Sequence, residues 1–450
     1  MTQPICRFVR EYADAHPLRL HMPGHKGKTV LGPEALDITE IAGADVLYSR
    51  EGTGIIRQSE ETAAELFGSA KTLYSTGGSS LCIRAMVYLA TLYARQTHRP
   101  AKILAGRNAH KVFLSAAALL DVAIGWIYPD DESSVLSGQI NPSGLEELLE
   151  REEAAAVYLT TPDYLGNLAD LAACAEICHR RNVLLLVDHA HGAYRRFLPA
   201  SSHPMDLGAD LCCDSAHKTL PVLTGGAYLH FSASCPMELQ AAGERAMALF
   251  ASTSPSYLIL QSLDAANALL AGSFPRQIAE TTASLASLKR ELKDEGWLLA
   301  GKEELKLTLL PKPRGITGEE LSQALAEQKI FCEFADPDTV VMMFSPCNDP
   351  EDFERLHKAL LLLPIRPPIE SRPPFCPASP AVMTPRQAML APAERLPLQA
   401  CLGRILSSPS VSCPPAVPIL VCGERITEEA IALFEYYGIQ QCDVVAEAFS

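Results

Sequence analysis

The chain contains no C-x-x-C pair, although it carries 14 cysteines in 450 residues. Cys212 and Cys213 are adjacent, and several others sit inside apolar runs, where a thiol packs as a small hydrophobe. This spacing speaks against a disulfide framework. The cysteines read as reduced and mostly structural, which predicts a cytoplasmic protein. Basic residues are also in short supply: 38 Lys and Arg face 53 Asp and Glu, for a formal net charge of −15. Neutralising phosphates needs clustered Lys and Arg, so the balance argues against a nucleic-acid partner. It is compatible with a cationic small-molecule substrate, although an acidic surface ordinarily reflects solubility. An apolar stretch fit for a membrane is missing as well. The first residues, MTQPICRFVREYADAHP, are interrupted by Arg7 and Arg10 and have no apolar core, so no signal peptide is expected. The longest charge-free candidate span, residues 405–422, holds Pro409, Pro414, Pro415 and Pro418, which rules out a spanning helix.

What is present is an enzyme-sized globular composition, 48% hydrophobic and 20% charged, with length enough for two or three domains. From about residue 60, helical and strand-like segments alternate. Helical spacing marks EETAAELFG (60–68), SLCIRAMVYLATLYARQ (80–96), LEELLEREE (145–153) and LAACAEICHRR (171–181). Between them recur short apolar runs at 102–106, 123–129, 154–162, 183–191, 210–217 and 226–232. Unalternated strands separated by helices predict a mostly parallel sheet covered on both faces, hence a large α/β domain. The expected organisation is an N-terminal segment (1–60), that large domain (61–290), a small α+β domain (291–362), a proline-rich linker (363–380) and a C-terminal region (381–450). A long helical stretch is expected over roughly 255–294, and two helices around a proline-rich loop in the last segment.

Ligands of open α/β sheets bind at the carboxyl ends of strands. The polar residues there are Arg107 to His110, Thr161 to Tyr164, Asp188 to His191 and Ser215 to Lys218. Lys218 lies in LCCDSAHKTLPVLTGG (211–226), between apolar runs that predict it to be inside the protein. A buried ammonium is costly unless paired, neutralised or chemically used. Taken alone, Lys218 reads first as a structural lysine reaching solvent and second as an amine that condenses with an aldehyde. Asp188 closes the strand VLLLVD, 30 residues earlier. It can be a strand-end cap. With Lys218 on a later strand end, it can instead pair with the ring nitrogen of pyridoxal phosphate, which needs such a carboxylate and such a lysine. STGGSSLCIRA (75–85) sets glycines and serines at a helix start, which makes either an ordinary cap or an anion site. In HMPGHKGK (21–28) only two residues separate Gly24 from Gly27, where a nucleotide phosphate loop needs four. His21 and His25 offer imidazoles, but no carboxylate or thiol close by in sequence completes a metal site, so no metal is expected.

HMPGHKG, DITEIAGAD (37–45), GRNAHKVF (106–113), TTPDYLGNLADL (160–171), VDHAHGAYRRF (187–197), DSAHKTLPVLTGGAYLH (214–230) and STSPSYLILQSLDAA (252–266) together resemble the Orn/Lys/Arg decarboxylase family. TPRQAMLAPAERLPLQACLGRI (384–405) and PPAVPILVCGERI (414–426) resemble that family's C-terminal region. The likeness runs in order along nearly the whole chain. It is nearest the short bacterial form, which lacks an extra N-terminal domain. It implies an α/β enzyme of the fold-type I, aspartate aminotransferase-like architecture that uses pyridoxal 5′-phosphate. It implies Lys218 as the lysine that carries the cofactor aldehyde and Asp188 as the partner of the ring nitrogen. His110 matches the residue that stacks on the ring. Ser79, Ser80 and Ser215 match the phosphate cup, and His217 a residue near the phosphate and the reacting carbon. Thr253 or Ser254 is expected to reach the phosphate of a partner subunit, which implies a homodimer with shared sites. Glu424 matches an acidic position near the substrate. The implied reaction is loss of CO2 from lysine, arginine or ornithine, giving an amine that feeds polyamine synthesis, with Lys218 or His217 returning a proton to Cα.

The chain departs from the family in three places. Thr76-Gly77-Gly78-Ser79-Ser80 stands where Asn-Gly-Ser-Thr-Ser is usual, Gly225 and Gly226 follow LPVLT where Gln or Ala is frequent, and Cys413 to Pro418 replaces Tyr-Pro-Pro-Gly-Ile-Pro. Two other readings stand beside decarboxylation. One is different chemistry with the same cofactor, such as transamination or a side-chain lyase reaction. The other is a non-catalytic homologue, which would be expected to have lost Lys218, Asp188 or His110.

Overall fold

The computed structural model describes residues 2–29, 31–39, 54–129, 136–375, 377–408 and 417–449. The stretch from 40 to 45 in DITEIAGAD and the departure from Cys413 to Ala416 lie outside the described residues. Two compact units form: Met1–Tyr93 with Cys178–Ala279, and Ala94–Ile177 with Glu280–Ser450.

The strands, in chain order, are β1 (Lys71–Ser75), β2 (Lys102–Gly106), β3 (Ala123–Ile127), β4 (Ala156–Thr160), β5 (Leu184–Asp188), β6 (Leu211–Asp214), β7 (Ala227–Phe231), β8 (Leu298–Ala300), β9 (Lys306–Leu310), β10 (Phe334–Ala335), β11 (Val340–Met343), β12 (Ala393–Pro397) and β13 (Gln441–Val445). The six apolar runs picked out in the sequence are β2 to β7. β1, the short KTLYS, escaped notice because it follows a helix-stop glycine directly and has only five residues.

In the first unit the strand order is β1-β7-β6-β5. β5 and β6 are parallel, with Val187 opposite Cys212 and Asp188 opposite Cys213. β7 runs antiparallel to both β6 and β1. Every residue of β5, β6 and β7 is buried, which is why these segments lack alternation. The register matters for function: two parallel strands ending level bring Asp188 and Asp214 to the same sheet edge. A buried polar network ties the surrounding helices to β1. Asp264 accepts hydrogen bonds from Ser59 Oγ at 2.6 Å and from the Cys6 N–H at 2.9 Å. Asn267 Nδ2 donates to Tyr74 Oη at 2.8 Å.

Glu60 is also buried here, accepting the Tyr74 N–H at 2.8 Å. Burial pushes its carboxyl up to about 8 from an ordinary value of 4.5. The folded state therefore holds a proton that the unfolded chain gives up between those values. The stability this contributes is full below about 4.5 and lost as pH rises through about 8. Glu60→Gln keeps the acceptor without the charge. Urea unfolding of the two proteins should show the variant gaining on the wild type from pH 5 to pH 8, by roughly 3–4 kcal/mol. Parallel pH curves would contradict the assignment.

In the second unit β4, β2 and β3 lie side by side, all parallel. A separate antiparallel sheet, β10-β11-β9-β8, is covered by helices Gly318–Glu327 and Pro350–Leu361. Leu307, Leu309, Leu321, Leu325, Val340 and Leu360 make its core, each below 1% exposed. A Leu side chain buried to that degree contributes about 1.5–3 kcal/mol. Thr317 and Glu320 start the first of these helices with a reciprocal capping box. The C-terminal segment pairs β12 with β13 and packs helix Glu428–Tyr436 through Leu433 and Phe434. The sequence anticipated its two helices, Pro385–Leu390 and Glu428–Tyr436, but not the β pair. The helical stretch expected over 255–294 is two helices, Tyr257–Ala271 and Phe274–Asp294, broken at Gly272. Of the 12 cysteines described, ten are buried and none is bridged, as their spacing predicts. Among the described residues no helix is long and apolar enough to cross a membrane.

Candidate active site

The ends of β5 and β6 and the start of helix Gly78–Gln96 meet within the first unit. Asp188, the last residue of β5, is 2% exposed. Its Oδ1 accepts the Ala190 N–H at 3.2 Å and the Cys213 thiol at 3.7 Å. β6 runs into Ser215 and the single turn Ala216–Thr219, which carries His217 and Lys218. The Lys218 N–H donates to Ser215 O at 3.1 Å, and the His217 N–H to Gly226 O at 3.2 Å. His217 Nδ1 lies 3.0 Å from that same carbonyl.

The sequence expectation that Lys218 is inside needs correction. Its neighbours Ala216, Thr219 and Leu220 are buried, but Lys218 itself is exposed. The apolar flanks reported the turn's inner side, and residue 218 leaves on its open side. Its Nζ sits 3.0 Å from Nε2 of His191, which is 6% exposed and three residues beyond Asp188. The sequence marks His191 only as a strand-end residue and assigns it no role.

Ser215 Oγ donates to Ser79 Oγ at 2.8 Å, joining the β6 end to the helix start. Ser75 Oγ accepts the Gly77 N–H at 3.1 Å and donates to Gly78 O at 2.8 Å, shaping the approach to the helix. A Cβ placed on Gly78 would meet nothing within 4 Å, so open space lies beside these first N–H groups. Gly78 also donates its N–H to Gly225 O at 2.8 Å. Gly225 has φ +95°, and a Cβ there would stand 3.2 Å from the Thr76 carbonyl. The glycine at 225 is therefore required by its own backbone and by its closeness to the serine loop.

These residues fit pyridoxal 5′-phosphate. The start of a 19-residue helix, with open space beside Gly78 and the hydroxyls of Ser79, Ser80 and Ser215, suits a phosphate. A buried carboxylate at the strand end suits a protonated ring nitrogen, and an exposed amine suits an aldehyde carbon.

The other expected site residues belong to separate segments of the chain. Thr253 and Ser254 are exposed, in a loop where Ser252 Oγ accepts the Ser254 N–H at 3.1 Å. His110 belongs to the second unit, half-buried, where its Nδ1 accepts the Val112 N–H at 3.2 Å and caps helix Lys111–Leu120. Glu424, also in the second unit, is 3% exposed and is held by Arg107 Nη2 at 3.2 Å and by the Val421 N–H at 2.9 Å. Burial raises its carboxyl above the usual range, while Arg107 and that N–H pull it down. Arg107 further donates to the carbonyls of Pro418 and Ile419 and lies over the Trp126 ring. A cavity of about 120 Å³ adjoins the pair, lined also by Ser137, Phe375 and Tyr437.

Residues 3–308 match the Orn/Lys/Arg decarboxylase major domain, and residues 374–444 match the Orn/Lys/Arg decarboxylase C-terminal domain. The arginine decarboxylase of Bacillus subtilis is 31% identical over 95% of this chain and 92% of its own length. The arginine decarboxylase of Halalkalibacterium halodurans is 30% identical, with 95% of this chain and 92% of its own covered. The crystal structure of the Francisella novicida lysine decarboxylase superposes with a TM-score of 0.81 at 18% identity, over 99% of this chain and 81% of that one, which establishes the fold. With two family domains covering most of its length and full-length relatives at this identity, the chain belongs to the Orn/Lys/Arg decarboxylase family.

Proposed function

We infer that this protein removes the α-carboxylate of a basic L-amino acid with pyridoxal 5′-phosphate, and we propose arginine as the substrate and agmatine as the product. The observation that carries the reading is the placement of Lys218 Nζ 3.0 Å from His191, on the turn that begins at the buried Asp188. When bound, pyridoxal phosphate supplies an electron sink for the pair left at Cα by departing CO2. Lys218 would hold its aldehyde carbon, Asp188 its ring nitrogen, and Ser79, Ser80 and Ser215 its phosphate, with His110 against the ring. Lys218 Nζ or His217 would return a proton to Cα, and His191 Nε2, 3.0 Å from Lys218 Nζ, is in hydrogen-bond reach to replenish that amine. His217 is tied to Gly226 O through Nδ1, which orients its ring beside Lys218.

Arginine is favoured because relatives aligned over more than nine-tenths of the chain carry the name arginine decarboxylase. The reading extends to a cytoplasmic homodimer in which Thr253 or Ser254 of one subunit reaches the phosphate of the other. The exposure of both residues in the single chain agrees with that use. The amine would enter polyamine synthesis. Glu424 stays a candidate for the substrate's cationic end only if Arg107 yields its hold. A panel of L-arginine, L-lysine and L-ornithine with added pyridoxal phosphate, followed by CO2 release and amine analysis, tests the proposal. Arginine should give the highest kcat/KM. A preference for lysine or ornithine would overturn the substrate, and keto-acid formation without CO2 would overturn decarboxylation.

A further inference from the structure

Behind the site lies a polar cluster that the reaction itself does not use. Asp214, fully buried at the end of β6, accepts His189 Nδ1–H on Oδ1 at 2.7 Å. Its Oδ2 faces His203 Nε2 at 2.8 Å and His230 Nε2 at 3.2 Å. All three imidazoles are almost wholly buried. Burial pushes His189 down to about 4 and lowers His230 as well, so both are neutral rings with one N–H each. Burial alone would raise Asp214, yet His203 and His189 outweigh it and hold the carboxyl well below the usual range. The tautomers can be read from the second nitrogens. The Met205 N–H donates to His203 Nδ1 at 3.3 Å, and Thr72 Oγ1 stands 2.8 Å from His230 Nδ1. Each ring therefore turns its proton toward one carboxylate.

His189, His203, Cys212 and Asp214 also bring ligand-type atoms within 4.8 Å of one another. A cation there would need the Nε2 lone pair of His203, but the Met205 N–H takes Nδ1 and leaves the proton on Nε2. The cluster is a hydrogen-bond hub rather than a metal centre.

Its position gives it a use. His189 lies between Asp188 and His191 in the β5 turn, and Asp214 directly precedes Ser215, with Lys218 three residues further on. The His189 N–H donates to Cys213 O at 3.0 Å, so backbone and side chain of one residue both clasp β6. A Cβ at Gly192 would overlap the His189 ring, so the ring packs directly against the backbone of its own turn. We propose that the Asp214–His189 pair is a positioning brace that sets Asp188 and His191 against Lys218 and thereby strengthens pyridoxal phosphate binding.

The inference rests on the reading that Lys218 holds this cofactor, and the test separates the two. Wild type, H189F, H203F and H189N are stripped of cofactor and titrated with pyridoxal phosphate, following the visible band and its pH dependence. H189F and H203F each remove one N–H from Asp214, but only residue 189 sits in the turn that carries Asp188. H189F should weaken affinity about 10- to 100-fold and shift the band's pH midpoint, while H203F stays within about threefold. H189N should restore binding, because Asn Nδ2 is as many bonds from Cβ as His Nδ1. Should H189F not fold, H189Q replaces it with the same expectation, since its N–H lies one bond too far. Equal losses in H189F and H203F, or none in H189F, would overturn the brace while leaving the cofactor reading intact. A wild type that binds no pyridoxal phosphate, or binds it no differently from K218A, would overturn both.

Discussion

K218A loses the visible absorbance of the lysine-linked cofactor, and its decarboxylation rate falls by about 10⁴. The size of the loss follows from two functions residing in one amine. On the proposed reading Lys218 attaches the aldehyde and also serves as a proton carrier for the reacting carbon. Removing a positioned proton carrier alone is worth ~10²–10⁴. The structure adds a second expectation that sharpens the first. Because Lys218 is exposed on a turn whose apolar contacts come from Ala216, Thr219 and Leu220, the substitution should leave unfolding within about 0.5 kcal/mol of wild type. Absorbance, single-turnover CO2 release and a thermal melt on the same preparation check all three. A retained visible band, or a variant lost to unfolding, would contradict the account.

D188N gives the second large effect. Asn keeps the size of Asp188 and an acceptor for the Ala190 N–H, which lies 3.2 Å away. It discards the charge that would keep the cofactor's ring nitrogen protonated. Breaking one side of a buried charge pair costs about 3–5 kcal/mol. Spent on the rate, that is a fall of about 10²–10⁴ in kcat at saturating cofactor. The loss should sit in kcat more than in KM, since the substrate's own contacts are untouched. D188E, which restores the charge one bond too far out, should recover only part of it. A D188N enzyme within about threefold of wild type would show that the carboxylate is a strand-end cap and nothing more.

Much of this was legible in the residues. Six continuous apolar runs became strands; five are buried along nearly their whole length and need no alternation, while the sixth, Ala123–Ile127, is mostly half-buried. Asp188 and Lys218 were visible as polar groups at strand ends, and the glycine-serine run was visible as a helix start. What the sequence concealed has physical causes. Lys218 reads as buried from its apolar neighbours, yet a single helical turn points adjacent residues in different directions. His191 and the hub around Asp214 were hidden because the partners come from separate segments, at 189, 203, 214 and 230, and only the β5–β6–β7 register brings them together. Gly225 read as a departure from the family. In the structure it is demanded by a φ of +95° and by the Thr76 carbonyl. Glu424 reads as a position near the substrate, and the sequence gives no sign that Arg107 and the Val421 N–H hold its carboxylate.

The account stands on a covalent bond between Lys218 and the cofactor. Loading the protein with pyridoxal 5′-phosphate, reducing it with borohydride and mapping the peptides by mass spectrometry tests that bond most directly. The pyridoxyl group should appear on Lys218 of the peptide containing DSAHKTL, in proportion to the visible band lost on reduction. Its appearance on another lysine, or on none while the band is bleached, would contradict the central claim.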